Sequence, residues 1–424
     1  MNRFLALALA AGLAAPALAA DPVKILFIGN SYTFGRVDPV LSYNAAAVHD
    51  LTAGFNAVNP SGTNSYPAGT PSFGSFEPHP WGGVPGLFKK MTDEAGMNYD
   101  VSLSTRNAAS LRGQFLDTAN SDWKLRENVA TQRWDAVVLQ EQSDAALPAG
   151  KGKNANLATF NAYADQFERF IHNGAAQSYK ETDLFGGLAA CMATGLSQAS
   201  CNTARSIAAN PNASATTRVY LEQSWARPDM VEAHKITKPD IGTSDGRPIV
   251  DTSSAGGDAT LYYGSLAAMT ADLHAAFYAK AASNPGFAGV VPVGDAFQRA
   301  VDQGLAQGSG FYGADGTFLE GLSGLPNLWW LDRTHASKYG SYLSALTLFG
   351  SITGRDPLML GAAEQAAADL GIEATMALAL QRVASQQLGF TAAVPEPQTV
   401  AMLLAGLGVF GLRSGMRRGC GTAR

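Results

Sequence analysis

Ser31, Asp332 and His335 are the residues best placed to do chemistry. Ser31 stands in the turn Gly29-Asn30-Ser31, directly after the apolar run 23–28. A hydroxyl on a tight turn at a strand's end is exposed and lies close to backbone N–H groups, which suits a nucleophile and the oxyanion it creates. His335 follows Asp332 by three residues, so one loop or helical turn could carry a general base together with the carboxylate that orients it. Six histidines occur in the chain, and this one has the best-placed acid. The others, His49, His79, His172, His234 and His274, form no ligand-spaced pair, so no metal is expected and no cofactor is called for. Ester hydrolysis needs a nucleophile, a base and an orienting acid, and these three supply them.

A rival nucleophile is Ser244. The run Gly242-Thr243-Ser244-Asp245-Gly246 fits the Gly-x-Ser-x-Gly elbow, but such an elbow must follow a strand and open a helix. Lys238-Pro239-Asp240 precede it and Pro248 follows, which reads as a polar turn. The corresponding bland reading of Asp332 and His335 is a surface turn.

Such residues need a frame to bring them together. Apolar runs at 23–28, 99–104, 136–139, 217–221 and 287–293 read as strands. Helical patterns occupy 85–96, 157–171, 261–282, 296–305, 339–352 and 360–387. Strands alternating with helices imply a parallel sheet covered on both faces. The expected fold is α/β: a three-layer α/β/α, doubly wound, mostly five-stranded parallel sheet of flavodoxin-like type. Long loop insertions interrupt it at 36–86 and 226–259. Ligands of such sheets sit at the carboxyl ends of the strands, where Ser31 falls. Trp225, just after the fourth strand, faces the same edge and is either a platform for a sugar or a lid over the core.

These residues together resemble the SGNH (GDSL-type) hydrolase family. The first block of that family is a strand ending in Gly-x-Ser, here Ile25 to Ser31 with Asn30 in place of the familiar Asp. Its last block is Asp-x-x-His, here Asp332 and His335, followed by a Gly-Tyr helix start at Gly340 to Tyr342. The resemblance implies Ser31 as nucleophile and oxyanion donor, His335 as base and Asp332 as its orienter. The second block corresponds to Asn107-Ala108-Ala109-Ser110-Leu111, which lacks the usual Gly and points to the Ala108 N–H as a further donor. The third corresponds to Gln140-Glu141-Gln142-Ser143, similar to the Gln-Gly-Glu-Ser of carbohydrate acetylesterases with this fold. A Gln amide donates as Asn does from a longer arm, so Gln140 is expected in the oxyanion hole, with Gln142 second and as a substrate-binding residue. The implied activity is that of a serine esterase on acyl or acetyl esters, an extracellular acylated polysaccharide among them. A lipase or thioesterase on the same triad and a non-catalytic surface or matrix protein that retains the fold are the alternatives.

The ends of the chain carry sorting information. Arg3, the apolar run 5–13 and Ala17-Leu18-Ala19 compose a cleavable signal peptide over 1–19. The hydrolase-type domain is expected over 20–388, and a linker with a sorting tail over 389–424. Val394-Pro395-Glu396-Pro397, the apolar stretch 400–412 and the arginines 413, 417 and 418 resemble a PEP-CTERM signal. That resemblance implies export through the inner membrane, transient anchoring by the tail as a transmembrane segment, processing by an exosortase-type enzyme, and release to the cell surface or medium. Of 424 residues 46% are hydrophobic, enough for a sizeable core, and the net charge of -5 offers no field for nucleic acid. Cys191 and Cys201 are close enough in sequence to close a small loop in an oxidising compartment, while Cys420 lies in the tail.

Overall fold

A computed structural model describes residues 21–36, 38–54, 80–118, 123–235, 257–313 and 324–390. The signal peptide, the turn around Ser244 and the sorting tail lie outside the described residues.

Four largely buried strands build the centre of the sheet: β1 (Val23–Gly29), β3 (Tyr99–Thr105), β4 (Ala136–Gln140) and β7 (Arg218–Glu222). The edge strands are β2 (His49–Asp50) and β8 (Phe287–Val291). Every pairing is parallel and the order is β2-β3-β1-β4-β7-β8. The fold is therefore the expected α/β doubly wound architecture, with six strands rather than five. The added strand is two residues long and sits inside the 36–86 insertion, too short to leave a periodic pattern. Strand order reverses at β1, so the topological switch point, where open α/β sheets bind ligands, lies just beyond Gly29.

Helices α1 (Ser31–Phe34), α2 (Gly83–Glu94), α3 (Leu111–Leu116), α4 (Leu157–His172), α5 (Leu266–Ser283), α6 (Val293–Asp302), α7 (Lys338–Thr353) and α8 (Ala374–Gln387) surround the sheet. α2, α6 and α7 pack together, with α8 outside them, while α3 packs on α4. α7 is buried on nearly every side, and its buried hydroxyls Ser344 and Thr347 donate back to Gly340 O and Leu343 O. α5 starts later than its apolar pattern because Ser265 caps it, accepting from Ala268 N. The 360–387 pattern is not one helix. A 3-10 turn (Pro357–Leu360), a short helix (Gln365–Asp369) and α8 share it, with Gly371 at φ 61° providing the left-handed break before α8.

Residues 173–216 leave the sheet as a disulfide-bridged excursion. Antiparallel β5 (Gln177–Lys180) and β6 (Ala204–Ile207) close its base, and Cys191–Cys201 joins two of its short helices. A fully buried carboxylate, Glu181, fastens it to the body. It accepts from Arg112 of α3 at 2.5 and 2.8 Å, from Tyr163 Oη of α4 at 2.5 Å and from Arg205 of β6 at 2.9 Å.

Candidate active site

The chain turns sharply after β1 because Gly29 lets it pass close to its neighbours. A Cβ there would stand 2.0 Å from Thr33 Oγ1 and 2.7 Å from Gln140 Oε1. Asn30 then caps α1, its Oδ1 accepting from Tyr32 N at 3.0 Å while its Nδ2 donates to Ala109 O at 3.0 Å. Ser31 is the first residue of α1, and no hydrogen bond among the described residues engages its N–H.

At the other end of the chain, residues 329–336 fold into a closed turn. Trp330 N donates to His335 O at 2.7 Å, Arg333 N donates to Trp330 O at 2.9 Å, and Arg333 takes φ 59°. This turn presents Asp332 and His335 to Ser31. His335 Nε2 lies 2.8 Å from Ser31 Oγ, and His335 Nδ1 lies 2.5 Å from Asp332 Oδ2. The second oxygen of Asp332 accepts from the backbone of Thr334 at 3.0 Å and of His335 at 2.9 Å. Burial pushes the Asp332 carboxyl up, but the neighbouring His335 and these hydrogen bonds outweigh it and hold the pKa at about 2.

A carboxyl whose folded pKa lies below its unfolded value of about 3.9 adds stability that is present above about pH 4 and is lost as pH falls towards about 2. Asp332→Asn should therefore cost on the order of 2 kcal/mol near neutrality. The gap to wild type should close between pH 4 and pH 2, as read from urea midpoints across that range. A gap that does not change with pH would contradict the ionised, paired carboxylate.

Ser31 and His335 border a cleft of about 680 Å³, whose walls include Tyr32, Asn107, Ala108, Gln142, Arg227 and Asp229. Ala108 has φ 56°, a left-handed conformation costing a non-glycine residue about 1 kcal/mol or more, and its N–H carries no hydrogen bond among the described residues. Ala108 and Gln142 sit on separate loops joined by Glu141. Its buried carboxylate accepts from Leu111 N at 3.0 Å and from Gln142 N at 2.6 Å, and burial lifts its pKa to about 7.

Two expected residues are placed elsewhere. Gln140 is fully buried beneath the nucleophile turn and does not border the cleft. Its Oε1 accepts from Asn30 N at 3.0 Å and from Thr33 Oγ1 at 3.3 Å, and its Nε2 donates to Glu141 O. Because Asn30 N can only donate, the amide must turn its oxygen to the turn, and its Nε2, spent on Glu141 O, is buried away from the cleft where an oxyanion would form. Gln140 is corrected to a support of the turn, and Gln142, two residues on, is the glutamine that reaches the cleft. Trp225 is 1% exposed and stacked between Tyr32 at 3.9 Å and Phe297 at 5.0 Å, with Nε1 donating to Thr334 O. It is a lid over the core behind the site, not a platform in it.

The sequence did not reveal the polar wall beside the Asp332–His335 turn. Arg227 forks onto Asp229 at 2.9 and 2.5 Å and reaches Ser143 Oγ at 2.9 Å and Thr334 Oγ1 at 3.1 Å. Asp144 lies 3.4 Å from the same guanidinium and is held by Asn154. The available signal was position: Arg227 lies five residues beyond β7, at the carboxyl edge.

We expect Gln142→Ala to lower kcat by about 10²–10³ with KM little changed, if its amide donates to the developing oxyanion. Gln140→Ala should instead lower the unfolding midpoint along with turnover. Steady-state kinetics paired with thermal unfolding separates the two; a rise in KM alone for Gln142→Ala would exclude the oxyanion role.

A model of the PEP-CTERM protein-sorting motif matches residues 393–418. The chain is thus marked for export, with transient membrane anchoring by its tail and processing of the exosortase type. No curated protein matches the sequence. Among solved structures, the chain is similar to a candidate SGNH hydrolase from Slackia heliotrinireducens (15% identity, TM-score 0.32, covering 78% of this chain and 100% of that one). It is also similar to a DUF4886 family protein from Bacteroides uniformis (12% identity, TM-score 0.39, covering 89% and 99%).

Proposed function

We propose that the domain is an exported serine esterase that hydrolyses small acyl esters on a polar carrier, an acylated carbohydrate being the preferred class. The observation that carries this reading is the continuous chain Ser31 Oγ–His335 Nε2 at 2.8 Å and His335 Nδ1–Asp332 Oδ2 at 2.5 Å, opening onto a cleft. His335 removes the Ser31 proton as Oγ attacks the ester carbonyl, and Asp332 holds the imidazole in the required tautomer and stabilises its cation. The N–H groups of Ser31 and Ala108, with the Gln142 amide, are the donors for the tetrahedral oxyanion. His335 then passes its proton to the leaving alcohol. Water, activated by the same imidazole, releases the acid.

A polar carrier is supported by the hydrogen-bonding residues Asn107, Gln142, Asn154, Arg227 and Asp229 around the cleft. The buried Tyr32 hydroxyl adds to this, since no described residue hydrogen-bonds it. The expected result is time-dependent acid release from a chromogenic acetate ester by the mature domain, with slower turnover as the acyl chain lengthens. No hydrolysis of any acyl ester would move the non-catalytic reading ahead, and a preference for long chains would favour the lipase alternative.

A further inference from the structure

We infer that, while its tail anchors it, the protein rests on the membrane by the amino-terminal edge of its sheet and turns the Ser31 cleft away from the lipid. The argument begins with strand direction. All six strands are parallel, so every carboxyl end lies on one edge, and Ser31 follows directly from β1 there. The path to the tail ends on the other edge. α7 leaves the site at Ser337 and runs back along the sheet until Ile352 O accepts from Arg218 Nη1, at the first residue of β7. Leu388 packs where a Cβ on Gly350 would stand, beside Pro357, so the chain reaches Phe390 at the foot of the sheet. Val23, the start of β1, lies at that same edge.

The sorting motif begins at residue 393, three residues beyond Phe390, and its apolar stretch begins at 400. Residues 391–399 span at most ~30 Å when fully extended. The sheet is itself ~23 Å deep at ~3.3 Å per residue of β1, before the loops above it. Carrying the cleft round to the bilayer would use nearly the whole of the fully extended tether, whereas the foot of the sheet reaches it with the tether slack. Two of the five large apolar side chains exposed among the described residues, Met359 at 53% and Phe390 at 40%, lie at this foot. Met359 belongs to the turn that packs on α8, and side chains of this kind sit favourably at a lipid headgroup boundary. The consequence for substrate rests on the reading of the cleft given above: resting on its foot, the anchored form presents the cleft to esters in the aqueous phase or on extracellular polymers rather than to lipid esters of its own membrane.

The test does not depend on catalysis. The full chain after removal of the signal peptide, carrying Cys420→Ser, receives one further cysteine, Met359→Cys or Asn107→Cys. Each is labelled with an environment-sensitive dye without reductant, so that Cys191–Cys201 stays closed. The proteins are then reconstituted into phosphatidylcholine vesicles containing headgroup-nitroxide lipid. Quenching should be several-fold stronger at position 359 than at position 107. Equal or stronger quenching at position 107 would overturn the orientation, as would failure of the chain to float with the vesicles. An inactive protein showing the expected quenching would leave the orientation standing and remove only the esterase reading.

Discussion

Replacing Ser31 with alanine should lower ester turnover by about 10⁴-fold or more, and His335→Ala should do almost the same. A nucleophile and its base act as one unit: without the base Oγ keeps its proton, and without Oγ the base has nothing to activate. The double variant should therefore be barely worse than either single one. Asp332→Ala should cost somewhat less, because it orients the imidazole and stabilises its cation without taking part in bond making. KM should change little across the series, since none of the three is needed to hold the ground-state carrier. Unfolding midpoints for Ser31→Ala should match wild type, which separates lost chemistry from lost fold. Ser244→Ala is the internal control, expected to be close to neutral. Loss of activity in Ser244→Ala with activity retained in Ser31→Ala would transfer the nucleophile to the Gly-x-Ser-x-Gly turn and undo the assignment.

The hydrogen-bonded arrangement of Ser31, His335 and Asp332 could be read from the sequence because each member carries a local signature. Ser31 follows a strand whose last five residues are buried, and Asp332 and His335 lie within one turn of each other. The central strands were equally legible, since burial on both faces leaves unbroken apolar runs. Gln140 misled because residue type was read without register. It is still paired with Glu222 as the last residue of β4, so its side chain points into a layer rather than over the edge. Gln142 lies past the strand end and is free to reach the cleft. For Trp225 the sequence left a platform and a lid open, and the lid is decided only by Tyr32 and Phe297, which come from distant parts of the chain to cover both faces of its ring. The Arg227 network was illegible because, apart from the neighbouring Asp229, its partners are brought together from positions 143, 144 and 334 only by the fold.

The second large effect should fall on stability. Glu181→Ala should destabilise the protein by about 3 kcal/mol, the lower part of the range for breaking a buried ion pair by removing one partner. The carboxylate is wholly buried, whereas Arg112 and Arg205 keep 16% and 20% of their side-chain surface, so water can take up part of their charge once Glu181 is gone. Tyr163 Oη, on the buried face of α4, loses its acceptor outright. The damage should be local first. With its clamp removed, the excursion over 173–216 should become sensitive to proteolysis between β5 and β6, while Cys191–Cys201 keeps its halves together. It should then spread to the site, because Arg112 lies on the helix that begins at Leu111, whose N–H is held by Glu141 beside the cleft. Turnover should accordingly fall several-fold, far less than for Ser31→Ala. The combined variant Arg112→Met, Glu181→Leu, Arg205→Met should recover much of the lost stability, since an apolar set of similar volume leaves no stranded charge. Urea unfolding of the single and triple variants decides the matter. A Glu181→Ala midpoint equal to wild type would show that the excursion is held by its packing and its disulfide, and that the four-residue clamp contributes nothing measurable.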